Sequence, residues 1–159
     1  FGSIRLMQER WEESHAIFSR YLQQAIKMRD GWTTTEIHNG IALSAYHLGE
    51  HSRAEYHVKQ GVILAERMGA IPLLLEALAV YAIIHTDDPI MSMSYCQYIM
   101  KHPSARTLKR RLTQKQIDKL EVALTLEEQD EALYRAYDFD LDAFVETILA
   151  DIDPQDMPH

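Results

Sequence analysis

The sequence predicts an all-α protein, an α-solenoid in which helical hairpins are stacked in series. Three observations carry this. Apolar residues recur at i, i+3, i+4 and i+7 over long segments, as in Trp11, Ile17, Phe18, Tyr21, Leu22, Ala25 and Met28, and again in Val58, Val62, Ala65 and Met68. Glycine and proline fall between these segments, at Gly31, Gly49, Gly69, Pro72, Pro89 and Pro103, while alternating strand-like runs are missing. The third observation is a repeat. Moved forward by forty positions, Gly2 falls on Ala42, Ser14 on Ala54, Phe18 on Val58, Leu22 on Val62 and Ala25 on Ala65. Moved by thirty-eight, Ala42 falls on Val80, Ala45 on Ile83, Ala54 on Ser92 and Val58 on Cys96. Small residues recur where two helices must touch and large ones where they fill the gap, which is the pattern of a helical repeat.

The spacing predicts helices over 1–8, 11–29, 34–48, 52–68, 72–86, 89–101, 104–124, 126–137 and 140–151. Asp88 precedes Pro89, a residue suited to the first helical position because it lacks the donor that position would waste. Thr125 with Glu128 reads as a capping box, and Asp140 as the cap of the last helix. The tail from Asp153 to His159 has two prolines and no apolar period, so it is expected to fray.

A chain of 159 residues, 47% hydrophobic and 25% charged, is long enough for one domain with a real core and is too apolar to be disordered throughout. The single cysteine, Cys96, excludes a disulfide framework and fits a cytoplasmic setting. No run of apolar residues approaches a membrane span. No signal peptide is recognisable, and without an initiator Met the chain is expected to be part of a larger polypeptide. The net charge of −8 is unevenly laid out: residues 1–100 carry −3, residues 101–119 carry +6 and residues 120–159 carry −11. The basic stretch is expected to be a solvated face near the acidic final helices. As a nucleic-acid helix it lacks an aromatic residue between 104 and 119 on which a base could stack.

The runs Phe1-Gly2 … Gln8-Glu9-Arg10-Trp11-Glu12-Glu13-Ser14 … Phe18 and Ile41-Ala42 … Leu48-Gly49-Glu50 … Ala54 … Val58 … Gly61 resemble tetratricopeptide (TPR) repeats. Both are longer than the thirty-four-residue form. They are similar to repeats in large bacterial signalling regulators of the maltose-activator (MalT-like) and related ATPase type. The third unit departs from the pattern, with Val80 and Ile99 where small residues belong and Asp87 in place of the turn glycine. The resemblance implies a right-handed solenoid of TPR-like hairpins over 1–103, its first repeat truncated, then C-terminal capping helices over 104–152 and a flexible tail over 153–159. It also implies a concave groove lined by the first helix of each pair. That places Ser3, Leu6 and Met7, then Glu36, Asn39, Leu43, Tyr46 and His47, then Leu74, Ala77, Tyr81, Ile84 and His85, in contact with a partner. Such a lining suits a partner helix or an extended peptide and lacks a lysine-rich clamp. Helices from 104–151 folded back into the groove are the competing reading.

No catalytic motif interrupts this picture. His47 and His51 are four apart, but Gly49 between them marks a turn, so a shared zinc face is not expected. Asp138, Asp140 and Asp142 begin like a calcium loop but meet Ala143 and Leu149 where glycine and glutamate belong, so they read as helix-start residues. Cys96 sits in an apolar repeat slot and reads as a packed thiol. The expectation is a non-catalytic module without metal or cofactor that binds a protein or peptide, with upstream domains of its own polypeptide among the candidates. Homodimerisation is the first alternative. Nucleic-acid binding through residues 101–119, or a histidine-based enzyme, ranks lower.

Overall fold

The computed structural model describes residues 2–153 and 155, apart from the side chain of Leu108. Among them lie α1 (Gly2–Met7), α2 (Trp11–Lys27), α3 (Gly31–His47), α4 (His51–Arg67), α5 (Ile71–Ile84), α6 (Pro89–Lys101), α7 (Thr107–Ala123), α8 (Leu126–Tyr137) and α9 (Leu141–Ala150), with no strand. The all-α expectation holds. Phe1 and most of the tail expected to fray lie outside the described residues.

The first four turns are built alike. Glu9, Arg29, Gly49 and Gly69, twenty residues apart, have φ of 57°, 54°, 81° and 60°, and are the only described residues with positive φ. In each turn the left-handed residue donates its N–H to the carbonyl three back, and the next residue donates to the carbonyl five back. Gly49 bonds Tyr46 at 3.0 Å and Glu50 bonds Ala45 at 2.9 Å; Arg29 bonds Ile26 at 3.0 Å and Asp30 bonds Ala25 at 3.2 Å. This closes the carbonyls left open at a helix end. The carbonyl of that second residue then accepts the first bond of the next helix, as Asp30 does from Thr34 and Glu50 from Ala54, each at 2.9 Å. One residue therefore ends one helix and starts the next. Asp30 adds its carboxylate, which accepts from the Thr33 N–H at 3.0 Å, and this starts α3 at Gly31, three residues earlier than the apolar period alone suggests.

The matched small positions all lie inside. Ser14, Ala42, Ala54, Ala65 and Val80 are fully buried, and Phe18, Val58, Val62 and Cys96 pack between helices. Ser14 and Ser92 each donate a hydroxyl to a carbonyl on the preceding helix, Gly2 at 3.1 Å and Ala82 at 2.6 Å. Close approach also needs Gly61, because a Cβ there would lie 2.2 Å from the Asn39 Oδ1. The repeat shortens in the third unit because α5 has 14 residues where α2, α3 and α4 have 17. Its turn uses no left-handed residue; Asp88 instead caps α6 by accepting from the Met91 N–H at 3.0 Å.

The odd-numbered helices touch in series, α1 on α3, α3 on α5 and α5 on α7. The last three helices pack onto this stack without a break at residue 103. Leu112 of α7 joins Leu6, Trp11 and Tyr46, while Phe144, Val145 and Ile148 of α9 join Val62, Leu74 and Leu78. The capping box at Thr125 and Glu128 is present, and Asp140 accepts from the N–H groups of Asp142 and Ala143. No described helix is long and apolar enough to cross a membrane.

The repeated turn makes opposite predictions for two similar positions. Arg29→Gly relieves a side chain held at positive φ and is expected to raise unfolding stability by about 0.5–1 kcal/mol. Gly49→Ala, where an added Cβ meets nothing within 4 Å, is expected to lower it by about 1 kcal/mol through backbone strain alone. Urea titration of the two variants checks both signs.

Candidate functional site

Along the odd-numbered helices, α7 occupies part of the expected groove. Arg106, at its start, meets Glu36 on α3 at 2.7 Å and Glu76 on α5 at 2.8 Å, and Lys109 lies 3.6 Å from Glu76. Glu76 is buried; burial raises its pKa, against the opposing pull of Lys109 and Arg106. One turn past Arg111, Lys115 pairs with Glu9 in the first turn of the chain. Arg106, Lys109 and Lys115 thus pair with acids from the first half of the sequence, and among the described residues no cation of the stretch forms a salt bridge to the acidic final helices as expected. The reason is topological: α7 continues the odd row, so its basic face points at α1, α3 and α5. Arg110 has a structural task, donating to the carbonyls of Met100, His102 and Ala105 at 2.6, 2.8 and 3.0 Å and so tying down the loop after α6.

Where α7 comes back to α1 a cleft of about 130 Å³ remains. Leu6 and Met7 enter from the last turn of α1, Trp11 from the start of α2, His47 from the end of α3 and Ile83 from α5; Arg111, Leu112, Lys115 and Lys119 line it along α7. The Trp11 and His47 rings stack at 3.8 Å and 11°. Burial lowers the His47 pKa, and the charges of Lys119 and Lys115 push it the same way against Glu9, so the imidazole is neutral near pH 7. The Glu9 carboxyl, fully exposed, is held low first by its hydrogen bond to Lys115 and then by that residue's charge.

The expected groove residues divide into four groups. Leu6, Met7 and His47 line the cleft. Tyr46, Tyr81 and Ile84 are half-buried beside Leu112, with the Tyr46 hydroxyl 3.3 Å from the Thr86 hydroxyl. Asn39, Leu43, Leu74 and Ala77 are buried in the helix packing and face no open surface. The other three are separate: Ser3 is exposed, Glu36 serves Arg106, and His85 bonds Glu55 at 2.9 Å and stacks on Tyr81 at 4.0 Å. Trp11 and the α7 residues of the cleft were not anticipated. Their one sequence signal was the four-residue spacing of Arg111, Lys115 and Lys119, which puts them on one helix face.

The histidines and the cysteine singled out in the sequence lie as follows. His47 ends α3 and His51 begins α4, on either side of Gly49. No group of three or more His, Cys, Asp or Glu suited to a metal occurs among the described residues. Cys96 is fully buried, and burial pushes its thiol up to about 12. A buried pair, His38 on α3 and His57 on α4, brings its Nδ1 atoms to 2.8 Å, so one ring donates and the other accepts. Burial lowers their pKa values to about 4 and about 3, with His38, Arg53 and His15 adding to the effect on His57.

Comparison with family models, curated proteins and solved structures finds no match.

Two predictions follow from these contacts. Glu76→Ala leaves Lys109 without its buried partner and is expected to destabilise the fold by about 2 kcal/mol, discounted because Arg106 is partly exposed; thermal or urea unfolding measures it. The histidine pair holds fewer protons folded than unfolded, so its contribution is full above the ordinary histidine value of 6.5 and is lost as pH falls through about 4 and then 3. Urea midpoints are expected to drop across that interval, and His57→Gln is expected to flatten the drop.

Proposed function

We propose that this chain is a non-catalytic protein-interaction module: a right-handed, TPR-like α-solenoid whose cleft between α1 and α7 receives a segment of a partner protein. The observation that carries this is the uniform turn every twenty residues from Glu9 to Gly69, together with the odd helices touching in series. Such an arrangement presents one face of each hairpin to a common surface. The cleft on that surface has an apolar floor from Leu6, Trp11, Ile83 and Leu112 beneath a polar rim, the make-up of a peptide-docking site. The resemblance to MalT-like regulators suggests a cytoplasmic bacterial signalling protein, with an upstream domain of the same polypeptide as one candidate partner. Nucleic acid fits less well, because Arg106, Lys109, Arg110 and Lys115 are already occupied within the fold.

A homodimer is the second reading. It is favoured by Ile4, Tyr21, Ile26 and Met28, which are all exposed on the first hairpin, Met28 at 69%. Light scattering over a concentration series separates it, since a monomer throughout rejects it.

Removing the apolar floor at its exposed edge tests the cleft. Met7→Ser combined with Trp11→Ser is expected to weaken binding of partners found with the intact chain at least tenfold, with helicity by circular dichroism retained. Unchanged affinity for every such partner would show that the cleft is not the contact surface.

A further inference from the structure

Most cations between residues 101 and 119 are committed. Arg106 and Lys109 serve Glu36 and Glu76, Arg110 serves backbone carbonyls, and Lys101 lies 3.9 Å over the Tyr137 ring. Arg111 and Lys119 are different. Both are exposed on the rim of the cleft, and neither is in an ion pair with any described residue. With Lys115 between them they form a cationic row along one edge, about 12 Å long for eight helical residues. The one acid at the cleft is Glu9, and Lys115 already holds it.

The row has a spacing that selects a backbone. Cations four residues apart on a helix are separated by about 6 Å along its axis. Side chains on the same side of an extended chain recur at about 6.7 Å. Acidic residues at alternate positions of an extended segment therefore meet Arg111, Lys115 and Lys119 nearly in register, while the side chains between them turn toward Met7 and Trp11. A space of about 130 Å³ accepts one such side chain, given that a cavity of about 150 Å³ houses a benzene ring. The molecule uses the same chemistry on itself elsewhere: Asp151 pairs with Lys59 at 2.6 Å while Ile152, its neighbour, packs on the hydrophobic cluster of α4, α5 and α6.

The geometry points to an extended peptide segment of a partner protein, with acidic and apolar residues in alternation, as the occupant of this cleft; this rests on the interaction-module reading above. The carboxylates replace solvent on Arg111 and Lys119 and share Lys115 with Glu9, and one large apolar side chain covers the Trp11–His47 stack.

The test is an NMR titration of the full chain with the blocked peptide acetyl-Asp-Phe-Asp-Leu-Asp-amide and its all-asparagine counterpart, at low salt. The expected result is displacement of the Leu6, Trp11, His47 and Leu112 resonances, and affinity that falls at least tenfold with the asparagine peptide, with 0.5 M salt and in Arg111→Glu/Lys119→Glu. The milder Arg111→Gln/Lys119→Gln pair, expected to lose affinity in the same direction, replaces the reversal should that fail to fold. Undisturbed cleft resonances, or equal binding by the charge variants, overturn the acidic occupant. Equal binding of the asparagine peptide also overturns it while leaving the interaction-module reading standing. That reading itself falls only if Met7→Ser/Trp11→Ser spares every partner.

Discussion

The first five helices are laid side by side through four connections that reverse the chain the same way, each with a single left-handed residue, at positions 9, 29, 49 and 69. Its effect exceeds its length. Because the residue after it ends one helix and starts the next, each turn occupies three residues and leaves little freedom in the angle between neighbours. The matched small residues then fall opposite each other, so Ala42, Ala54 and Ala65 come to lie at zero exposure without any specific pairing beyond close packing. Two of the four positions are glycine and two are not. The fold therefore tolerates strain at Glu9 and Arg29 in order to keep the geometry that Gly49 and Gly69 adopt freely.

This constraint explains what was legible in the sequence. Helix-period apolar residues and the caps at Asp88, Thr125 and Asp140 are local signals, read within one or two turns of chain, and the helices lie close to where those signals place them. The repeat was also legible through its small residues, although the turn residues themselves were half hidden, because Glu9 and Arg29 carry no glycine signature. The two residues lost between the second and third units have a visible cause in the shorter α5 and its differently built turn at His85–Asp88.

The site was far less legible. Of the groove residues chosen by repeat position, Leu6, Met7 and His47, at helix ends, line the cleft, while Asn39, Leu43, Leu74 and Ala77 are covered by neighbouring helices. A periodic rule gives the direction of a side chain from its helix and not the identity of what lies opposite. The missing wall comes from α7, roughly one hundred residues from the α1 residues it faces. Its basic character looked like solvation because the acids that answer it, Glu9, Glu36 and Glu76, are scattered through the first half of the chain and look unremarkable one at a time.

Seen from α7, charge and packing have separate tasks. Arg106 and Lys109 anchor one end of the helix on Glu36 and the buried Glu76, where removal of a partner strands a charge and is costly. Leu112 then inserts among Leu6, Trp11, Tyr46 and Ile84, and this apolar contact draws the helix toward α1. Lys115 reaches Glu9 at the surface, a contact that solvent makes weak. Residues of α1 and α7 consequently line one cleft, with Leu6 and Leu112 in the same apolar cluster. Only the distal part of α7, beyond the anchored pairs, has basic groups to spare. The open cleft is accordingly where an apolar floor lies beside Arg111 and Lys119, which are in no ion pair with a described residue, and both follow from where α7 is pinned.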